Sequence, residues 1–172
     1  GEIYIIAGSG SITMQDGGQL IHTNANVEVT VEKEIKGYGD GVSWYTISSP
    51  LVNNEPATEV TNLLSNNYDL YYYNEPTHYW FNYKDKENNA NFTTIDPARG
   101  YLYANSNDVT LQFKGAVNHQ EVSFNLDMED NILVGFNLIG NPFTHNIYKG
   151  KDAAIDNDNL TIGHYSLSNA GR

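Results

Sequence analysis

Residues 27–35, Val27-Glu28-Val29-Thr30-Val31-Glu32-Lys33-Glu34-Ile35, alternate apolar and polar side chains one by one. Val27, Val29 and Val31, with Lys33 next in line, fall on one side, and Glu28, Thr30 and Glu32 fall on the other. A period of two is that of a half-buried β-strand. Shorter strand-like runs recur at residues 3–6, 11–14, 19–22, 44–48, 69–73, 79–83, 100–104, 108–113, 121–126 and 135–139. Clusters of Asn, Asp, Gly and Pro separate them. A spacing of about 10 residues between such runs is that of a β-sandwich or barrel. The 13 Tyr and 15 Gly fit many short strands joined by turns. One short helix is expected where Pro56 opens a segment with Val60, Leu63 and Leu64 at helical spacing, stopped by Asn66-Asn67.

The first runs are short, evenly spaced and punctuated by Ala7-Gly8-Ser9-Gly10 and Gln15-Asp16-Gly17-Gly18. That pattern predicts rungs of a β-solenoid over residues 1–36, with further rungs upstream of Gly1, because a lone rung cannot bury its own face. Gly37-Tyr38-Gly39-Asp40-Gly41 marks a boundary. It lacks the GK[ST] of a phosphate loop. Residues 37–172 are then expected to form an antiparallel β-sandwich module that stops short of its own C-terminus. The fold class read from the sequence is all-β, an antiparallel sandwich preceded by solenoid-like rungs, with at most one or two short helices.

Function classes narrow on composition. Hydrophobic residues make up 40%, enough for a core. The formal net charge of −12, from 21 acidic and 9 basic residues, disfavours nucleic acid and anionic lipid as partners. The absence of cysteine rules out disulfides, Cys-ligated zinc and thiol chemistry. No run approaches the ~18 apolar residues of a spanning helix, so membrane insertion is not expected. The start, Gly1-Glu2-Ile3-Tyr4, has no signal-peptide pattern; if the protein is exported, the signal is expected upstream.

Two segments match without gaps. Val42-Ser43-Trp44-Tyr45-Thr46-Ile47-Ser48-Ser49-Pro50-Leu51 aligns on Val134-Gly135-Phe136-Asn137-Leu138-Ile139-Gly140-Asn141-Pro142-Phe143. In each, an aromatic residue is followed by Ile three positions on, two small or polar residues, Pro and an apolar residue. This describes a buried strand leaving its sheet, since Pro forbids further ladder pairing. The second unit looks unfinished, because the chain stops soon after His164-Tyr165-Ser166-Leu167-Ser168. Together with Tyr68-Asp69-Leu70-Tyr71-Tyr72-Tyr73 and Ala98-Arg99-Gly100-Tyr101-Leu102-Tyr103-Ala104, these lines resemble the β-rich C-terminal region of large secreted or cell-surface proteins of the Bacteroidetes. The resemblance spans about residues 12–165. It implies an extracellular or cell-surface location and membership of a larger multidomain chain, and it says little about function.

The densest chemical feature is an aromatic hairpin over residues 71–83, with Glu75-Pro76-Thr77 as its turn. Tyr71 and Tyr73 share one face and Leu70 and Tyr72 the other; on the return strand Trp80 and Asn82 oppose Tyr79, Phe81 and Tyr83. An exposed aromatic face would stack on the CH faces of sugars, which makes Tyr71, Tyr73, Tyr79, Trp80 and Tyr83 the candidate ligand-binding residues. The alternative is that these rings are cross-strand pairs holding the sheet together. Asp152, Asp156 and Asp158, in an acidic loop, are candidate ligands for a structural Ca²⁺, although the loop lacks the Gly and Glu of an EF-hand. Asp127-Met128-Glu129-Asp130-Asn131 is a second acidic turn. No other cofactor is implied. The five histidines show no metal-binding spacing, and there is no G-x-S-x-G elbow. The reading is a non-catalytic structural or adhesive module, with a glycan or a host or cell-surface protein as partner. Alternatives are a carbohydrate-binding module built on the hairpin, or an accessory part of a polysaccharide-degrading enzyme.

Overall fold

The computed structural model describes residues 11–39, 41, 43–128 and 135–147. The protein is all-β. Among the described residues nine strands form three sheets and no helix occurs, so none there is long and apolar enough to cross a membrane. The first sheet joins β1 (Ile12–Met14), β2 (Glu28–Ile35) and β9 (Val109–Ala116). The second has the order β3 (Tyr45–Ile47), β8 (Tyr101–Asn105), β5 (Tyr68–Asn74) and β6 (Tyr79–Asn82). A small third sheet pairs β4 (Glu55–Pro56) with β7 (Thr94–Ile95).

The alternating segment 27–35 forms β2 as its pattern dictates. Val29 and Ile35 are buried and Val31 packs on the core. Lys33, the polar member of that row, is paired with Asp16 at 2.9 Å. β2 runs parallel to β1 and antiparallel to β9, registering Val31 with Phe113 and Lys33 with Leu111. The ladder from Glu28↔Ala116 to Ile35↔Val109 joins chain on either side of Gly37 into one sheet. Gly37 itself is held by Asp108, whose carboxylate accepts its N–H at 2.8 Å.

The core lies between the two large sheets in a sandwich-like arrangement. One cluster takes Val29, Ile35, Leu111 and Phe113 from the first, and Ile47, Leu70, Tyr72, Tyr101 and Tyr103 from the second. Ile95 joins it from the third. Phe92 sits among its rings, stacked on Tyr101 at 5.4 Å and edge-on to Tyr72 and Tyr83.

Four local expectations differ from the structure. Residues 57–64 form consecutive tight turns rather than a helix. The N–H groups of Glu59, Leu63 and Ser65 each donate three residues back, to Pro56, Val60 and Asn62. Asn62 takes a left-handed φ of 64°, and Thr61 forms a bridge to Gln112. A left-handed residue ends a right-handed helix, and the bridge diverts the backbone groups a helix would bond internally. Residues 121–126 form no strand, and neither do residues 135–139, where the pairing is a single bridge, Arg99↔Ile139. Residues 19–22 also stay outside any ladder; Leu20 instead exchanges bonds with Thr144. The expected strand at residues 3–6 and the segment 164–168 lie outside the described residues.

The repeat is nonetheless spatial. Ser48 and Gly140 occupy matching repeat positions, and they touch: a Cβ on Gly140 would lie 2.3 Å from Ser48 Cβ, so only glycine fits. Gly100, against the same segment, would place a Cβ 2.7 Å from Leu138 Cγ. Asn118, buried, donates its side-chain amide to the Leu51 and Pro142 carbonyls at 2.7 and 3.0 Å, and its backbone N–H to Pro50 at 3.0 Å. One residue thus ties together the matching Pro turns of both repeats.

Candidate functional site

The β5–β6 hairpin turns through Glu75, Pro76, Thr77 and His78. Asn74 Oδ1 accepts from both the N–H and the hydroxyl of Thr77, and His78 takes a left-handed φ of 54°. The register Tyr71↔Asn82, Tyr72↔Phe81, Tyr73↔Trp80 and Asn74↔Tyr79 puts opposed residues on the same face. Tyr72 and Phe81 therefore face inward, and Tyr71, Tyr73, Trp80 and Asn82 face outward.

The five candidate aromatics are not one platform. Tyr83 is buried beneath Phe92, with the Lys86 ammonium 3.6 Å over its ring. Tyr79, at 53% exposure, has the inward parity but lies at the hairpin end, beyond the core. Tyr73 faces outward and is buried all the same, covered edge-on by Phe136 at 5.2 Å and flanked by Trp80 at 5.2 Å. Tyr71 is half-buried and Trp80 is 36% exposed. Trp44, 37% exposed and edge-on to Tyr71 at 5.9 Å, belongs to the same outer face and was not among the candidates. Its signal was available: Trp44 has the parity of Thr46, which registers through Leu102 to Tyr71.

The outer face of the second sheet is thus a shallow ledge. Trp44 and Tyr71 stand at one side, Trp80 at the other, and Asn82 lies between, its amide donating to the Tyr71 hydroxyl at 3.0 Å. Leu102 forms its floor, and the Asp69–Lys84 ion pair at 3.1 Å lies along one border. Burial raises the Tyr71 phenol above its ordinary value, aided by the nearby Asp69 carboxylate, so the ring is neutral at physiological pH. The opposite border is closed by the second repeat. The N–H of Gly135 is bonded at 2.9 Å to Glu75 Oε1, a buried carboxylate, and Phe136 lies on Tyr73. Trp44 and Phe136 are matching residues of the repeat, and each packs edge-on to an outward tyrosine of β5.

A second concavity, a groove of about 650 Å³, opens between the first sheet and the β3 edge, lined in part by Met14, Gln19, Lys33, Ile47 and Phe143. Its polar groups are largely committed to one another: Lys33 to Asp16, and the Asn146 N–H to Gln19 Oε1.

Asp152, Asp156 and Asp158 lie outside the described residues, as does part of the acidic turn at residues 127–131. Among the described residues no three His, Cys, Asp or Glu side chains gather into a metal-binding group. Arg99 pairs with Asp96 at 3.7 Å and lies over the Tyr72 ring at 5.0 Å. No family model, curated protein or solved structure matches this chain.

Proposed function

We propose that this chain is a non-catalytic, extracellular structural and adhesive module of a bacterial surface protein, and that its adhesive face is the Trp44–Tyr71–Trp80 ledge, which takes up carbohydrate. The observation that carries the reading is the half-open state of two indoles on one sheet face. Large apolar rings left partly in water beside amide and charged groups suit a ligand with apolar CH faces and many hydroxyls. Trp44 precedes β3 and Trp80 lies on β6, the two outer strands of the sheet, with Tyr71, Tyr73 and Asn82 also on this face, so the ledge is wider than one ring. That favours an oligosaccharide over a single sugar. The extracellular assignment rests on the resemblance to Bacteroidetes surface proteins.

Trp44 and Trp80 are the two tryptophans of the chain, so the emission of the protein reports on this face directly. The test is a glycan-array screen followed by fluorescence titration of each hit. A saturable emission change, abolished in Trp44→Ala and Trp80→Ala variants that melt like the parent, supports the reading. Hits that bind both variants undiminished, or an array without hits, leave the module a structural spacer.

A further inference from the structure

We propose that His22 and His119 form a binding site for a late first-row divalent metal ion, Zn²⁺ or Cu²⁺, independent of the aromatic ledge. The two rings come from segments far apart in the chain, yet their centroids lie 5.5 Å apart with planes inclined at 32°. With a metal–nitrogen distance of about 2.1 Å and the ring centre about 1.1 Å beyond, a tetrahedral ion holds two imidazole centres a little over 5 Å apart. The observed separation is close to that of a shared ion.

The protonation pattern points the same way. His22 Nδ1 lies 2.9 Å from the carbonyl oxygen of Asn24. A carbonyl only accepts, so Nδ1 carries the hydrogen and Nε2 presents its lone pair. That Nε2 is buried and has no hydrogen-bond partner. A ligand histidine is ordinarily oriented in this way, one ring N–H given to a backbone carbonyl and the other nitrogen left for the metal. A buried acceptor without a donor is unfavourable, and a bound cation removes that penalty.

The chain is also anchored beside both residues. Two residues before His22, Leu20 exchanges two bonds with Thr144 at 2.9 and 2.7 Å. His119 follows Asn118, the buried amide that joins the two Pro turns. Among the described residues no third His, Cys, Asp or Glu joins the pair, so the proposed site rests on these two imidazoles. Neutral imidazoles suit Zn²⁺, Cu²⁺ and Ni²⁺, with Cu²⁺ tightest, and disfavour Ca²⁺ and Mg²⁺, which require oxygen ligands.

The test is calorimetric titration of the full chain with ZnCl₂ and CuCl₂, with CaCl₂ as control, on the parent and on His119→Phe. Phenylalanine keeps a ring against His22 and removes the ligand nitrogens, so it separates packing from coordination. The expected result is one ion per chain for the parent, an affinity lowered about 10-fold or more in His119→Phe, the scale of losing even an outer-sphere partner, and no response to CaCl₂. A thermal melt should show the metal raising the midpoint of the parent and not of the variant. If His119→Phe does not fold, the imidazole resonances of the parent decide: Zn²⁺ must shift those of His22 and His119 and leave His78 and His145 in place. Equal affinity in parent and folded variant, no binding by the parent, or shifts confined to other histidines would overturn the proposal.

Discussion

On the inner face of the four-stranded sheet, Tyr72, Tyr101 and Tyr103 are buried against Phe92 or the aliphatic core. The hydroxyls of Tyr101 and Tyr103 are partnered: Tyr103 donates to the Leu63 carbonyl at 2.9 Å, and Tyr101 accepts the Asp96 N–H at 2.9 Å. On the outer face of the same sheet, Trp44 packs edge-on to Tyr71, and these two rings and Trp80 stay partly in water, while Tyr73 is closed off by Phe136. The residue types are nearly the same on both sides. What separates them is whether a second layer covers the ring. The inner face stabilises the fold; the outer face is apolar area that folding leaves partly unused.

Truncation should separate the two faces most sharply. Tyr101→Ala opens a cavity in the aromatic core and is expected to cost about 3–5 kcal/mol, read as a lowered urea midpoint. Gly140→Ala comes next: its new methyl meets Ser48 Cβ at 2.3 Å where the repeats cross, and about 1–3 kcal/mol of strain is expected from such overpacking. Its melting point should fall while Ser48→Gly in the same background restores part of the loss.

Titration probes the comparison without truncation. Burial pushes the Tyr101 and Tyr103 phenols above their ordinary value. The unfolded chain ionises them near pH 10, whereas the folded chain holds the protons longer. Above about pH 10 the unfolded state therefore binds fewer protons, and stability falls as pH rises. Below that pH the contribution is fully present. Melting curves between pH 9 and pH 11.5 should show a steepening loss, and Tyr101→Phe should flatten it. The smallest effect is reserved for the ledge: Trp80→Ala should change stability by about 1 kcal/mol or less. A larger loss would mean that the outer face is structural after all.

Much of this was legible in the chain because strand parity is local. The alternation at residues 27–35 announces β2, and Tyr71 and Tyr73 fall opposite Leu70 and Tyr72 as their spacing requires. Parity does not say which outward ring a distant segment will cover. Tyr73 is buried by Phe136, and Tyr83 by Phe92 through a turn whose path depends on left-handed Ala90 and Asn91 and on the buried Asn89 amide reaching the Tyr83 carbonyl at 3.3 Å. The matched segments 42–51 and 134–143 are alike in sequence, yet the described part of one forms β3 and that of the other a single bridge, because β3 pairs with Tyr101–Tyr103 whereas the backbone of residues 138–140 bonds to residues 98–100, ahead of β8. The His22–His119 pair has no sequence signature, being made wholly by tertiary contact.

The β2–β9 ladder also bears on time. Its eight paired positions join residues 28–35 to residues 109–116, so during synthesis β2 leaves the ribosome well before its long partner exists. Contacts of such wide separation make folding slow, because the loop between them must close before any pair rewards it. In that interval β2 is a β-branched strand with an open hydrogen-bonding edge. Its glutamates, Glu28, Glu32 and Glu34, then act as gatekeepers whose like charge discourages one nascent chain from zipping onto another.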